Sequence, residues 1–185
     1  MPPNQHLPGT RTDATTIGPS QTIGGWTLLE RLGSGAFGTT WRAVDCRGRQ
    51  AAVKTLGSAP GDELRALASV VHPSVIGVID SGSTPVPYIA MDLAPGEPLS
   101  QVDKPLTVPQ SVQIIATLAD ALSALHDAGL AHGDVKSANV LVKLSAPIEV
   151  RLVDLGMAGT EAGGTLSYAA PERMSGDRSS PEADV

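Results

Sequence analysis

The sequence predicts an α+β fold. Between Trp26 and Asp92, five short runs rich in β-branched, aromatic or other apolar residues follow one another, broken by turn-forming segments. That pattern reads as a five-stranded antiparallel sheet. One short amphipathic stretch interrupts the series. After the breaker Ala94-Pro95-Gly96-Glu97-Pro98 the apolar spacing becomes helical, and a long helix takes over. At 185 residues the chain has room for one domain or two small lobes.

Residues 1–23 carry Pro, Thr, Gly, Ser and Gln without an apolar period, and read as a flexible leader. Trp26 to Leu32, Thr39 to Val44 and Gln50 to Leu56 are the first three strands. The first pair turns through Gly33-Ser34-Gly35-Ala36-Phe37-Gly38 and the second through Asp45-Cys46-Arg47-Gly48-Arg49. Gly61 to Val71 is a short helix with Leu64, Leu67 and Val71 on one face, ended by Pro73. Val75 to Asp80 and Tyr88 to Asp92 complete the sheet. Beyond the breaker, Thr107 and Gln110 fit a capping box. Ile114, Ile115, Leu118, Ala121, Leu122 and Leu125 form the buried stripe of the helix that follows, and Gly129 stops it. Ile148 to Val153 is a further strand-like run, leading into Asp154-Leu155-Gly156.

Apolar residues make up 41% of the chain, enough for a core, but with one Phe, two Trp and two Tyr that core must rest on Leu, Val, Ile and Ala. The net charge of −6 argues against a nucleic-acid groove. The acidic surplus lies beyond Asp92, where it fits either basic substrates or an ordinary solvated surface. A single cysteine, Cys46, excludes a disulfide framework and a cysteine-based metal site. The N-terminus has no apolar signal core, and no uninterrupted run of about 18 apolar residues points to a membrane segment, so a cytoplasmic protein is the default expectation.

The chemistry gathers in Ala131-His-Gly-Asp-Val-Lys-Ser-Ala-Asn-Val-Leu-Val142. Asp134 or Asn139 alone would pass for a turn residue. Together with Lys136 they put an acid, a base and an amide within six positions. Gly33, Gly35 and Gly38 form a G-x-G-x-x-G that leads into a strand. A dinucleotide fingerprint would lead into a helix, and a Walker A loop would place Lys-Ser or Lys-Thr where Thr39-Thr40 stands. A flap between strands, whose backbone N–H groups approach phosphates, fits better. Lys54 lies inside the apolar strand Ala51-Ala-Val-Lys54. It is either an exposed edge-strand lysine or a buried one needing a carboxylate, for which Glu63 on the next helix is the candidate. Asp134 can accept a hydroxyl proton, Lys136 can neutralise a transferring phosphoryl group, and Asn139 and Asp154 offer hard oxygen ligands for Mg²⁺.

Taken in order, Leu32-Gly-Ser-Gly-Ala-Phe-Gly38, Ala51-Ala-Val-Lys54, Glu63, His132-Gly-Asp-Val-Lys-Ser-Ala-Asn139, Asp154-Leu-Gly156 and Ala170-Pro-Glu172 resemble the signature set of the protein kinases. The compact loops and the His-Gly-Asp wording are similar to bacterial members of the eukaryotic-like serine/threonine family. The resemblance covers about residues 25–185 and implies a two-lobed fold. Residues 24–91 become an N-lobe with the five-stranded sheet and one helix, and 92–185 a partial, mainly helical C-lobe. It implies that Leu32, Gly33, Ser34, Gly35, Ala36, Phe37 and Gly38 cover the phosphates of ATP. Lys54, held by Glu63, binds the α and β phosphates. Thr40, Ala52 and Leu141 enclose the adenine, with Met91 as gatekeeper and Asp92 to Ala94 as hinge. Asp134 is the catalytic base, Lys136 meets the γ-phosphate, and Asn139 and Asp154 hold Mg²⁺. Leu67, Val78, His132 and Leu155 fall where the family stacks a spine between lobes. Thr165 resembles the threonine that serine/threonine kinases place beside the catalytic Asp and Lys, which implies Ser/Thr hydroxyls of protein substrates as acceptors.

The departures carry their own expectations. Gly133 stands where the family usually has an Arg that pairs with an activation-loop phosphate, so that switch is not expected. The loop from Met157 to Gly164 is short, with Thr160 its only early phosphorylatable residue. Thr40 replaces a valine and makes the adenine lid more polar. The sequence stops at Glu182-Ala-Asp184-Val185, where the family's long central C-lobe helix begins. That implies an exposed apolar face on the Leu118–Leu125 helix, open to a protein partner. It also leaves Glu172 without its usual arginine. The alternative reading is a nucleotide-binding or interaction module without transferase activity.

Overall fold

The structure is a computed structural model and describes residues 17–35, 38–59, 63–154 and 180–184, excluding the side chains of Glu63 and Arg65. Ala36, Phe37, Leu155, Thr160, Thr165 and Glu172 lie outside the described residues, as does the Glu63 side chain. Six strands form an antiparallel sheet: β1 (Thr22–Ile23), β2 (Trp26–Gly35), β3 (Gly38–Val44), β4 (Gln50–Thr55), β5 (Val78–Gly82) and β6 (Tyr88–Asp92). Their order is β1-β2-β3-β4-β6-β5. The five expected strands are all present. The sixth, β1, comes from the supposed leader, because Ile23 is buried and Thr22–Ile23 pairs back on Trp26 and Thr27. The leader boundary at residue 23 is therefore too late.

Alternation sets the two faces of this sheet. Trp26, Leu28, Trp41, Ala43, Ala51, Val53, Tyr88 and Ala90 bury themselves in one cluster. On the other side Ile89 and Met91 join α1 (Glu63–Ser69), through Leu64 and Leu67, and the second half of the chain. Helix α1 is shorter than expected, and Val71, placed on its buried face by the sequence reading, is 96% exposed because the helix has already ended. β2 leaves the core at Leu29, so its glycine-bearing end projects as an exposed flap. Gly38, at φ +133°, closes that flap, and a Cβ there would run into the Thr55 carbonyl.

In the second half α2 (Val108–Asp127) starts with the expected capping box. Thr107 Oγ1 accepts from Gln110 N, and Gln110 Oε1 accepts from Thr107 N at 2.9 Å. It ends at Gly129, φ +74°, where the Leu130 N–H donates to Leu125 O at 3.0 Å. Ile114, Ala121, Leu122 and Leu125 are buried and Leu118 is partly so. Ile115 is 65% exposed, contrary to the expected stripe. One residue on from Ile114 turns about 100° away from the core, and Ile115 instead shares an exposed apolar face with Val108 and Val112. By length and mean hydropathy, 1.2, α2 is apolar enough to cross a membrane, which the sequence reading did not expect; its Ile114, Ala121, Leu122 and Leu125 pack in the core cluster.

A second sheet was not expected. β7 (Glu97–Pro98), β8 (Val140–Lys143) and β9 (Glu149–Leu152) pair antiparallel in that order. β7 arises within the supposed breaker, where Gly96, φ +101°, lets the backbone pass against the Val142 carbonyl. The expected strand from Val75 begins only at Val78, because Ser74 to Ile76 pair elsewhere. Ile76 N donates to Leu152 O at 3.1 Å and Leu152 N to Ser74 O at 2.7 Å. This seam joins the first half of the chain to β9.

Candidate active site

The segment between α2 and β8 holds the densest polar network among the described residues. Its anchor is His132, fully buried. A carbonyl can only accept, so His132 Nε2 carries the proton it donates to Val153 O at 3.1 Å. Nδ1 then accepts the Asp134 N–H at 3.2 Å. The ring is thus a neutral tautomer, and burial accordingly pushes its pKa below the usual histidine value, against the opposing pull of the Val153 hydrogen bond and of Asp184, Asp134 and Asp154.

The Asp134 carboxylate is buried but not isolated. Its Oδ2 accepts from Lys136 Nζ at 2.6 Å and from Asn139 Nδ2 at 3.0 Å. Asn139 Nδ2 also donates to Asp134 O at 2.8 Å, so both amide hydrogens point to Asp134 and its Oδ1 is the atom left to serve as a ligand. The turn Ser137–Asn139 is 3₁₀, closed by Asn139 N on Lys136 O at 2.9 Å, and Val153 N donates to Asn139 O at 2.9 Å. That last bond fixes Asn139 beside Asp154. Asp154 itself sits at φ +60°, a conformation rare for a non-glycine residue and concentrated at functional sites.

Lys54 is buried on β4, which excludes the edge-strand reading, and its Nζ forms an ion pair with Asp154 Oδ1, 100 residues away in sequence. The expected partner Glu63 lies at the start of α1. Above the network runs one cleft with two parts. The inner slot, about 200 Å³, is walled by Leu32, Gly33, Thr40 and Ala52 on one side and Leu141, Val153 and Asp154 on the other. Met91 and Ile76 close its back, and Asp92, Leu93 and Ala94 its edge. The Asp92 side chain turns outward to Arg49, 3.3 Å away. The outer part, about 550 Å³, is bounded by Gly33, Ser34, Gly35 and Gly38 of the flap, with Lys54, Asp134, Lys136, Asn139 and Asp154 beneath and Pro98, Ser100 and Gln101 at the lip.

The family of protein kinase domains matches residues 26–185. The chain belongs to that family. This kinase domain is 34% identical to serine/threonine-protein kinase PknA of Mycobacterium tuberculosis over 89% of the chain, and 31% identical to PknB of the same organism over 90%. It spans 45% of the first relative and 31% of the second. Among solved structures, the M. tuberculosis PknI kinase domain superposes with a TM-score of 0.71 at 29% identity, covering 91% of this chain and 72% of that one. Rad53 1–466 in complex with AMP-PNP superposes with a TM-score of 0.71 at 27% identity, covering 82% of this chain and 43% of that one.

The described residues that the sequence reading offered for nucleotide, metal and phosphoryl transfer line this one cleft, except Glu63; Leu67, Val78 and His132 lie outside its lining. The sequence reading missed Ile76, Val153 and the lip residues, which carry no motif. It also missed Asp184. That carboxylate, in the 3₁₀ turn Pro181–Asp184, accepts from His132 N at 2.6 Å, from Gly133 N at 2.7 Å, and pairs with His126 Nε2 at 3.0 Å. Gly133 meets it at φ +73°, a conformation that glycine adopts without strain. No local pattern marks Asp184, since its partners lie more than fifty residues upstream.

Proposed function

We propose that the cleft binds Mg²⁺·ATP and transfers its γ-phosphate to a Ser or Thr hydroxyl of a protein substrate. The inner slot has the apolar walls and open edge that a purine needs, and the flap offers backbone N–H groups to phosphates. Lys54 places an ammonium where the α and β phosphates lie. Asn139 Oδ1 and the Asp154 carboxylate are the hard oxygens suited to Mg²⁺. Held by these oxygens, Mg²⁺ would supply positive charge to offset that of the phosphates. The acceptor hydroxyl gives its proton to the Asp134 carboxylate as its oxygen bonds to γ-phosphorus, and ADP leaves. Lys136, on the same carboxylate, supplies positive charge to the phosphoryl group in flight. Thr165 has the serine/threonine-kinase role in this reading. The observation that carries the proposal is the shared cleft: the Asp134–Lys136–Asn139 cluster and the Lys54–Asp154 pair face the same flap.

Asp134→Asn tests it. Phosphate transfer from Mg²⁺·ATP to Ser/Thr substrates should be lost, while the ATP-induced rise in melting temperature persists. Retained phosphorylation would overturn the role of Asp134. One observation favours a nucleotide-binding module without transfer: the hydroxyl-bearing Thr40 in the slot wall. That reading requires an ATP-dependent rise in melting temperature in the unsubstituted chain with no phosphate moved to any protein.

A further inference from the structure

The back and edge of the inner slot depend on one turn, residues 72–77, which belongs to neither α1 nor β5. Ile76 of this turn is buried and closes the back of the slot. Its neighbour Gly77 accepts from Asp92 N at 2.9 Å, and Asp92 stands at the slot edge. Ile76 N and Ser74 O both bond to Leu152, next to the wall residue Val153. The side chain that holds the turn is His72. Its Nδ1 accepts the N–H of the buried Ser74 at 3.1 Å. A neutral imidazole has one N–H, so Nε2 carries it and donates to Asp120 Oδ2 of α2 at 3.1 Å. Val75 N closes back on His72 O at 3.2 Å. One ring thus fixes the turn internally and fastens it to α2. Neither His72 nor Asp120 lines the cleft.

Building on the nucleotide reading above, we propose that His72 and Asp120 are positioning residues for the purine: together they set how deeply Ile76 stands in the slot. Their reach stops short of the phosphates. Leu152 stays paired with Val140 of β8 when the turn loosens, so Asp154 and the outer part of the cleft keep their place. Loss of the ring or of its carboxylate partner therefore weakens the hold on the base and leaves the hold on the phosphates as it was.

The test is binding of adenosine and of Mg²⁺·ATP to the full chain by calorimetry, which needs no phosphate to move. Asp120→Ala should weaken both ligands by the same factor, about threefold. The Asp120 side chain is 77% exposed, so this change leaves the core alone. His72→Ala also leaves the Ser74 N–H without its acceptor and should weaken both about tenfold. Asp120→Asn keeps an oxygen acceptor and should bind like the unsubstituted chain. His72→Asn separates the two ends of the ring. Its side chain can accept the N–H two residues on but is too short to replace the bond to Asp120, so it should match Asp120→Ala. Tyr88→Phe, which loses the hydrogen bond to Asp80 in the other core cluster, controls for stability and should leave both affinities unchanged. Unchanged affinities in His72→Ala, a loss confined to ATP, no recovery in Asp120→Asn, or the same losses in Tyr88→Phe would overturn the proposal. An unsubstituted chain that binds neither ligand sinks the nucleotide reading and this proposal with it. The expected losses in a chain that moves no phosphate to any protein support the role of His72 and refute transfer alone.

Discussion

Removing Asp184 should loosen the His132–Asn139 segment without touching the inner slot. In Asp184→Ala, the buried His132 N–H and the partly buried Gly133 N–H both lose their acceptor, and His126 loses its partner. A buried donor left unsatisfied costs about 1–3 kcal/mol. Two backbone donors therefore set the loss at about 2–6 kcal/mol. The upper end is trimmed because the alanine also removes a desolvated carboxylate, its side chain only 1% exposed, whose burial was itself unfavourable. A loss of about 3–4 kcal/mol is the expected outcome, a large share of the roughly 5–15 kcal/mol typical of a domain. Asp184→Asn keeps one oxygen acceptor and should lose about half as much. Urea unfolding at constant m-value measures both. Under the proposed function, kcat in a transfer assay should fall while KM for ATP stays near its starting value, since Asp184 holds the backbone behind Asp134 and lines neither part of the cleft. A loss under about 1 kcal/mol for the alanine variant, or equal losses for the two, would refute the reasoning.

Thr40→Val should tighten ATP binding by about 1 kcal/mol, roughly fivefold in Kd by calorimetry, by removing a hydroxyl from the slot wall. Gly133→Ala should destabilise by about 1–2 kcal/mol, seen as a lower urea midpoint, because φ +73° suits glycine and not a residue with a Cβ. Burial lowers the His132 pKa, so its contribution to stability is complete above the unfolded value of about 6.5 and is lost as pH falls through the folded value. Melting temperature should therefore decline below about pH 6.5, and the His132 ring signals should stay those of the neutral form at a pH where exposed histidines have titrated. The opposite sign applies to Tyr88, whose pKa is pushed up to about 12 by burial and by its hydrogen bond to Asp80. Its contribution is complete below about pH 10 and disappears as pH rises through about 12, which an ultraviolet absorbance titration checks as a delayed tyrosinate step.

The legible parts of the sequence were those whose physics is local. Thr107 and Gln110 cap a helix three residues apart, and both hydrogen bonds form as read. The five expected strands announced themselves by composition, and the glycine flap by its spacing. Lys54 was conspicuous because an ammonium does not belong in an apolar strand without a partner. The illegible parts depend on distant chain. β7 is two residues long and exists only because β8 lies beside it. Ile115 has the same apolarity as Ile114, and only the position of the core decides which is buried. Asp184 needed the tertiary fold to acquire partners at His126, His132 and Gly133.

The seam between Ser74–Ile76 and Leu152 ties the two halves together beyond the covalent crossing near Asp92. It is one of several ties: His72 Nε2 lies 3.1 Å from Asp120 Oδ2, and a single core cluster draws Leu64, Leu67, Ile89 and Met91 from one half and Ile114, Leu122, Leu125 and Leu152 from the other. Asp154 lies two residues beyond the seam, so the strand that locks the halves together also delivers the carboxylate that pairs with Lys54. A substitution that loosened β9 would therefore be felt at the Lys54–Asp154 pair as well as in the core.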